Sequence, residues 1–218
     1  MTSPEYEFLA QLARPNPEQI RTNIPVVEEG EAEGALLEAY ESFRKNFGRP
    51  HVPGILKCFS SSPTLLTEIM AMSSTLLFSD GHLGRRRKEM IASYVSKLNE
   101  CPYCLDSHAF FLCVHGGGAM VQPILDDRLD SVEISSAERL LLEFVSKVNS
   151  ASNRISIQNV IALRDAGWSD DQIAEAVHVA AMFSFFNRVA NAFGLISQGL
   201  LNLRPAVVSE NNANSFEH

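Results

Sequence analysis

Much of what this sequence excludes follows from what it has little of. Among its 218 residues no apolar run is long enough to cross a bilayer, which takes about 20 residues. The longest uncharged stretch near the C-terminus, Ala176 to Asn187, is cut off by Arg188 and reads as a buried core helix. No membrane partner is expected. Positive charge is scarce as well: 18 Lys and Arg against 26 Asp and Glu leave a formal net charge of −8. The only short basic cluster is Arg85-Arg86-Arg87-Lys88, so no general surface exists to neutralise phosphates and nucleic acid is not an expected partner.

Cysteine is sparse too. Four cysteines in a chain of this length do not make a secreted disulfide scaffold. The opening Met1-Thr2-Ser3-Pro4-Glu5 has neither the basic start nor the apolar stretch of a secretory signal. A cytoplasmic, reducing setting is therefore expected, where two cysteines close together point to redox or metal chemistry. Strand signals are missing: no stretch alternates apolar and polar residues long enough to be a convincing strand.

What is present is the composition of an ordinary compact protein, with 45% hydrophobic and 20% charged residues. The length suits one domain or two closely fused halves with a sizeable apolar core. Residues 1–34 mix Pro15, Pro17 and Pro25 with the acidic run Glu28-Glu29-Gly30-Glu31, and are expected to form an N-terminal arm. Residues 35–205 should form a helical domain, and residues 206–218, with Asn211-Asn212-Ala213-Asn214, a frayed tail.

Within the domain the punctuation marks helices. Leu36, Leu37, Tyr40 and Phe43 recur at helical spacing until Gly48 and Pro50 close the segment. Pro63 opens a helix carrying Leu66, Ile69, Met70 and Leu77 to about Phe78. From Arg85 to Leu98 the positions Met90, Ile91, Tyr94, Val95 and Leu98 draw one apolar stripe, with Asn99 as the stop. Pro102 suits a first helical turn, which puts Cys101 near the N-cap, and Gly116-Gly117-Gly118 ends that helix. Ser135-Ser136-Ala137-Glu138 and Ser169-Asp170-Asp171-Gln172 read as capping boxes that each launch a long helix. A shorter helix from Ile157 to Ala166 stops at Gly167. The fold class is all-α, and if the chain has two halves they would divide near Asp126 to Ser131.

The chemistry concentrates in Cys101-Pro102-Tyr103-Cys104-Leu105-Asp106-Ser107-His108. A thiol reacts as its thiolate, and an ordinary cysteine, with a pKa of about 8.5, is mostly protonated at neutral pH. A helix N-terminus supplies partial positive charge and free N–H groups, which favours thiolate at Cys101 and Cys104. Three residues apart on one face, the two sulfurs can approach closely enough to form a disulfide with modest adjustment. His108, one turn beyond Cys104, can exchange a proton with it, and Glu89 could pair with His108 or Cys101 if the two helices run antiparallel.

Blander readings stand beside these. A lone Cys-x-x-Cys can be redox-active, zinc-binding or simply core, and a closed zinc site lacks its second ligand pair here. His108 by itself would more often be a core or surface residue, and Glu89, after four cations, a solvated salt-bridge partner. Cys58 and Cys113 read as small buried apolar residues. His115, His178 and the Phe183-Ser184-Phe185-Phe186 cluster read as structure, the last as core or subunit interface.

The run Arg87-Lys88-Glu89-Met90-Ile91-Ala92, then Leu98-Asn99-Glu100-Cys101-Pro102-Tyr103-Cys104 and His108, resembles the alkylhydroperoxidase D-like branch of the carboxymuconolactone decarboxylase superfamily. That family carries a glutamate twelve residues before a Cys-x-x-Cys and a histidine four after it. Gly48-Arg49-Pro50-His51-Val52-Pro53 and Phe185-Phe186-Asn187-Arg188-Val189-Ala190-Asn191 are similar to segments of its peroxidase-related members, so the resemblance spans roughly residues 35 to 200.

The resemblance implies an all-helical bundle that assembles into homo-oligomers, trimers or hexamers, and reduces peroxides through a dithiol. It implies Cys104 as the peroxidatic thiolate, Cys101 as the resolving thiol and Glu89 with His108 as a proton relay. No metal or flavin cofactor is implied, and an external dithiol, thioredoxin-like or lipoyl-bearing, would be the electron donor. Well-studied peroxidases of the family carry a histidine just before the peroxidatic cysteine, where this chain has Tyr103. A phenol, with a pKa of about 10, donates hydrogen bonds but is a poor base at neutral pH, so Tyr103 is an auxiliary residue and a subfamily trait. Two other functions compete: a decarboxylase of a lactone acid, from the branch without paired cysteines, and a non-catalytic helical oligomer that binds a partner or metal.

Overall fold

A computed structural model describes residues 22–203. The first 21 residues of the expected arm and all of the expected tail lie outside the described residues. Every regular element in the described part is helical, and no strand occurs there. The chain forms two compact units, one of residues through Ser74 with Val189–Leu195, the other of Thr75–Arg188 with the segment from Ile196.

In the first unit, helix α1 (Gly34–Phe47) ends at Gly48 in the left-handed conformation, with φ +63°, as the Gly-Pro punctuation predicts. Short helix α2 (Gly54–Lys57) follows, then α3 (Pro63–Leu76), whose last residues belong to the second unit. The acidic run before α1 is tied down: Arg44 pairs with Glu29 and Lys57 with Glu28, each at 2.7 Å. Tyr40, fully buried, donates to the Val27 carbonyl at 2.9 Å.

The second unit is built on a hairpin of α4 (Arg85–Leu98) and α5 (Pro102–Leu112), the most extensive helix contact in the chain. Beyond α5 a π turn, Cys113–Gly117, bends the backbone at Gly116, whose φ of +79° favours glycine. A further helix, α6 (Gly118–Leu125), begins at once, so the three glycines redirect the chain and do not open a long loop. Then come α7 (Ser136–Ala151), α8 (Ile157–Asp165) and α9 (Asp170–Phe193). Both capping boxes form: Ser135 with Glu138, and Ser169 with Gln172.

Two expectations need correcting. The turn at Asp126 to Ser131 divides nothing, because α6 before it and α7 after it both pack on α4. Nor does α4 bury a single stripe. All nine residues from Lys88 to Ser96 are buried, whereas Leu98 is only half-buried. Ala92, Ser93 and Ser96 are small enough for neighbours to close in on the polar side, and Ser93 satisfies its own hydroxyl on the Glu89 carbonyl at 2.7 Å.

The basic cluster at the start of α4 is paired internally. Arg86 and Arg87 meet Glu138, and Arg87 also lies over the Trp168 ring, 5.1 Å from its centroid. Lys88 is 0% exposed, and its ammonium donates to the carbonyls of Leu76 at 2.8 Å and Ser79 at 2.9 Å. It also pairs with Glu175 at 2.9 Å, and the other Glu175 oxygen accepts from the His82 and Leu83 N–H groups, both at 2.7 Å. One buried ion pair thus fastens the loop before α4 to α9. Lys88→Ala strands a carboxylate and two carbonyls without their donor, and should cost about 3–5 kcal/mol in urea unfolding. A change below about 1 kcal/mol would mean that water takes over the ammonium's role.

Candidate active site

The turn from α4 to α5 places the first cysteine. Asn99 caps α4, and Glu100 then adopts a left-handed φ of +50° without being glycine. The Glu100 N–H donates to the Lys97 carbonyl at 3.1 Å and the Cys101 N–H to the Ser96 carbonyl at 3.0 Å. This is a Schellman closure, which satisfies the carbonyls left open at the end of α4. The left-handed residue costs about 1 kcal/mol, and the chain reverses at once into α5. Cys101 is the N-cap of α5, with Pro102 in the first turn as its missing N–H predicts.

Because α4 and α5 run antiparallel, Glu89 near the start of α4 lies opposite His108 on the later part of α5. His108 Nδ1 and Glu89 Oε2 are 2.7 Å apart. The other Glu89 oxygen accepts from Arg85 Nε at 2.7 Å. Glu89 is 0% exposed, so the solvated role is excluded. Burial is the strongest single influence on its carboxyl and pushes the pKa up. His108, by charge and hydrogen bond, and then Arg85 outweigh it and hold Glu89 below the ordinary glutamate value.

Aromatic rings surround this ion-paired trio. The His108 ring meets Phe183 edge-on with centroids 4.5 Å apart, and Phe111 lies at 6.0 Å. The Arg85 guanidinium sits 4.7 Å from the Phe78 centroid and 5.9 Å from that of Phe111. Nδ1 of His108 faces Glu89, and Cys104 occupies the position one turn earlier on α5.

Both cysteines are reduced and buried, Cys101 at 1% exposure and Cys104 at 3%. The Cys101 thiol is held below its ordinary pKa, first because Cys104 hydrogen-bonds its sulfur. Burial opposes this, and the Cys104 and Tyr103 N–H groups and the Asn187 side chain reinforce it. Those N–H groups act without making a formal cap bond, as suits a large sulfur at a helix N-terminus. The acidified thiol is thus Cys101, to which the resemblance gives the resolving role. Tyr103 is buried in the first turn, and its carbonyl accepts from Ser107 at 3.1 Å.

The remaining candidates stand apart. Cys58, in the first unit, donates to the Gly54 carbonyl at 3.4 Å, and burial pushes its thiol up to about 12. Cys113 is buried in the π turn, and His178 is exposed on α9. Among the described residues no three His, Cys, Asp or Glu side chains are arranged to hold a metal ion, and no helix is long and apolar enough to cross a membrane. Two residues escaped the sequence reading. Arg85 could have been found as the i,i−4 partner of Glu89. Asn187 carries no local signal, because its role depends on where α9 lies.

Residues 63–112 match the Carboxymuconolactone decarboxylase family, and the match takes in Glu89, Cys101, Cys104 and His108. An alkyl hydroperoxide reductase of Mycobacterium tuberculosis is 38% identical over 86 residues, which are 39% of this chain and 24% of that protein. The matched region thus spans about a quarter of this relative's length. Among solved structures, the alkylhydroperoxidase core of an uncharacterized peroxidase-related protein from Ralstonia eutropha JMP134 superposes with a TM-score of 0.71. The two are 24% identical, over 82% of this chain and 93% of that one. An uncharacterized peroxidase-related protein from Silicibacter sp. TM1040 gives a TM-score of 0.69 at 24% identity, over 82% and 94% of the chains. The fold is therefore the alkylhydroperoxidase D-like helical bundle that the sequence resemblance implies.

The lowered Glu89 pKa sets a pH signature. A carboxyl acidified by folding contributes stability that is fully present above its unfolded pKa of about 4.3. That stability is lost as pH falls through the lower folded value. Urea titrations at decreasing pH should therefore show wild type losing stability through this acid window and Glu89→Gln losing less. Equal acid slopes for the two proteins would contradict an ionised Glu89 in the folded state.

Proposed function

We propose that this chain is a dithiol peroxidase that reduces hydrogen peroxide or an organic hydroperoxide through a Cys101–Cys104 disulfide cycle. What supports this reading is a histidine–carboxylate pair, Glu89 and His108 at 2.7 Å, on the same hairpin as a reduced Cys-x-x-Cys at the N-terminus of the helix that bears the histidine. The matched alkyl hydroperoxide reductase segment adds support. A lactone decarboxylase would leave the paired thiols without a part in the chemistry.

In the resting dithiol the Cys104 thiol donates toward the Cys101 sulfur, which is the acidified one. Cys104 transfers its proton to Cys101 and attacks the terminal oxygen of the hydroperoxide. An S–O bond forms, the O–O bond breaks, and the alkoxide leaves. His108, protonated and paired with Glu89, gives its proton to the alkoxide from Nε2. Cys101 then attacks the Cys104 sulfenic acid, an S–S bond forms, and its proton leaves with the hydroxide as water. A thioredoxin-like or lipoyl dithiol supplies two electrons and two protons to reopen the disulfide. One proton passes from Cys101 back to His108, which restores the starting charges.

Arg85 sharpens the division of labour. A carboxylate bonded to a guanidinium on one oxygen and an imidazole on the other stays anionic, so Glu89 orients and stabilises the imidazolium while His108 moves the proton. This parallels the role of the aspartate in a Ser-His-Asp triad. Tyr103 contributes its backbone N–H to the sulfur environment. Self-association as a trimer or hexamer and a cytoplasmic setting belong to the same proposal.

The test is turnover of an organic hydroperoxide with a small dithiol present, following free thiols in parallel. Wild type should lose both thiols of the pair on oxidation. Cys104→Ser and Cys101→Ser should fall to background, and His108→Ala should slow turnover by about 10²- to 10⁴-fold. If the pair survives excess hydroperoxide while the protein stays folded, the peroxidase reading fails.

A further inference from the structure

Next to Cys101 lies a cluster of side-chain amides that the peroxide chemistry leaves unexplained. Asn187 on α9 is 0% exposed. Its Nδ2 donates to Ser96 Oγ at 2.9 Å, and its Oδ1 accepts from Asn99 Nδ2 at 3.0 Å. Asn99 is itself locked by a reciprocal pair with Asn149 on α7: Asn99 Nδ2 donates to Asn149 Oδ1 at 3.0 Å, and Asn149 Nδ2 returns a bond to Asn99 Oδ1 at 2.9 Å. The Ser184 hydroxyl completes the chain on Asn149 Oδ1 at 2.5 Å.

Burying this many amides is costly unless each is satisfied, and here the satisfaction has a direction. Both hydrogens on Asn99 Nδ2 are committed, one to Asn149 and one to Asn187, so the oxygen of Asn187 must face Asn99. The amide nitrogen of Asn187 then faces the other way, toward Ser96 and the residue whose N–H bonds the Ser96 carbonyl, which is Cys101. One Asn187 hydrogen serves Ser96, and the second is left for the sulfur.

We propose that Asn187 is a working part of the dithiol: its amide, held in one orientation by Asn99 and Ser96, presents an N–H to the Cys101 sulfur and makes Cys101 the member of the pair that carries the negative charge. Asn99, Ser96 and Asn149 are positioning residues that act through it. A flipped Asn187 would turn its carbonyl oxygen on the sulfur and favour the neutral thiol instead, so the network selects the donor end. The Asn187 side chain does act to lower the Cys101 pKa. The titratable and charged groups nearest Cys101 on the hairpin are Glu100, exposed in the turn just before it, Cys104 and Tyr103 on its own helix and, farther along, the Arg85–Glu89–His108 trio. Asn187 from α9 and Ser96 and Asn99 from α4 are neutral. This inference rests on the dithiol being the working centre but not on the substrate it reduces.

The test is a thiolate titration of the reduced protein by ultraviolet absorbance, with the ionising residue identified by limited alkylation and mass spectrometry. In wild type the first thiol to ionise should be Cys101. In Asn187→Ala its midpoint should rise by about one pH unit, an approximately tenfold loss of thiolate at a pH below the midpoint. Asn187→Asp, nearly isosteric but anionic, should raise it further. Asn149→Ala, at a half-buried position remote from sulfur, should give a smaller rise in the same direction by freeing Asn99 to turn, and it carries the test if the Asn187 variants do not fold. An unchanged midpoint in a folded variant, or first ionisation at Cys104 in wild type, would overturn the proposal. No peroxide enters the titration, so a chain that shows these shifts yet is inert to hydroperoxide would refute the peroxidase reading and leave this one standing.

Discussion

Everything at the candidate site depends on a carboxylate with no water around it. Glu89 is 0% exposed, and a lone carboxylate so placed would take up a proton. It stays ionised because Arg85 comes from one turn earlier on the same helix and His108 from the facing helix. The two partners arrive by different routes, one local and one tertiary. The Arg85 contact could form in isolated α4, whereas the His108 contact requires the hairpin with α5. Closing the hairpin therefore satisfies the buried carboxylate and fixes the orientation of the His108 ring in one act, so folding and site assembly are coupled.

The hairpin also explains how one short segment can hold two chemically different cysteines. Cys101 sits at a helix cap, beside N–H groups and an amide cluster. Cys104 sits one turn in, on the face that leads to His108. The same spacing that puts the sulfurs in hydrogen-bond contact gives them unequal surroundings, which hold the Cys101 thiol below its ordinary pKa.

Much of this was legible in the sequence. Capping residues are local devices, so Gly48, Asn99, Pro102, Ser135 and Ser169 mark ends that the structure reproduces, and of the residues whose spacing points to one site the hairpin brings Glu89 and His108 into contact. What was not legible is what depends on tertiary surroundings. The apolar stripe of α4 understates its burial because Lys88 and Ser96 are covered by partners far away in sequence, Glu175 and Asn187, and Glu89 by His108 of the next helix. The cluster from Arg85 to Lys88 looks like a charged surface and instead pairs with Glu89, Glu138 and Glu175, of which only Glu89, one turn from Arg85, is a neighbour in sequence. Asn187 lies in a segment that reads as apolar core, and its orientation is set by Asn99 and Asn149, about 90 and 40 positions away in sequence. The resulting network defines which end of a single amide faces a sulfur.

The near-complete enclosure of Cys101 and Cys104 has a consequence for traffic. A sulfur at 1% exposure and one at 3% can be reached by something as small as a peroxide through a narrow breach, but not by a bulky thiol without a larger opening of the surrounding helices. Oxidation and resetting would then pass through gates of different width. For the peroxidase proposed above, the slower gate would govern under steady oxidative load: the oxidised form would accumulate with a lifetime set by how often the protein opens, and the abundance of the donor would matter only once that opening is frequent.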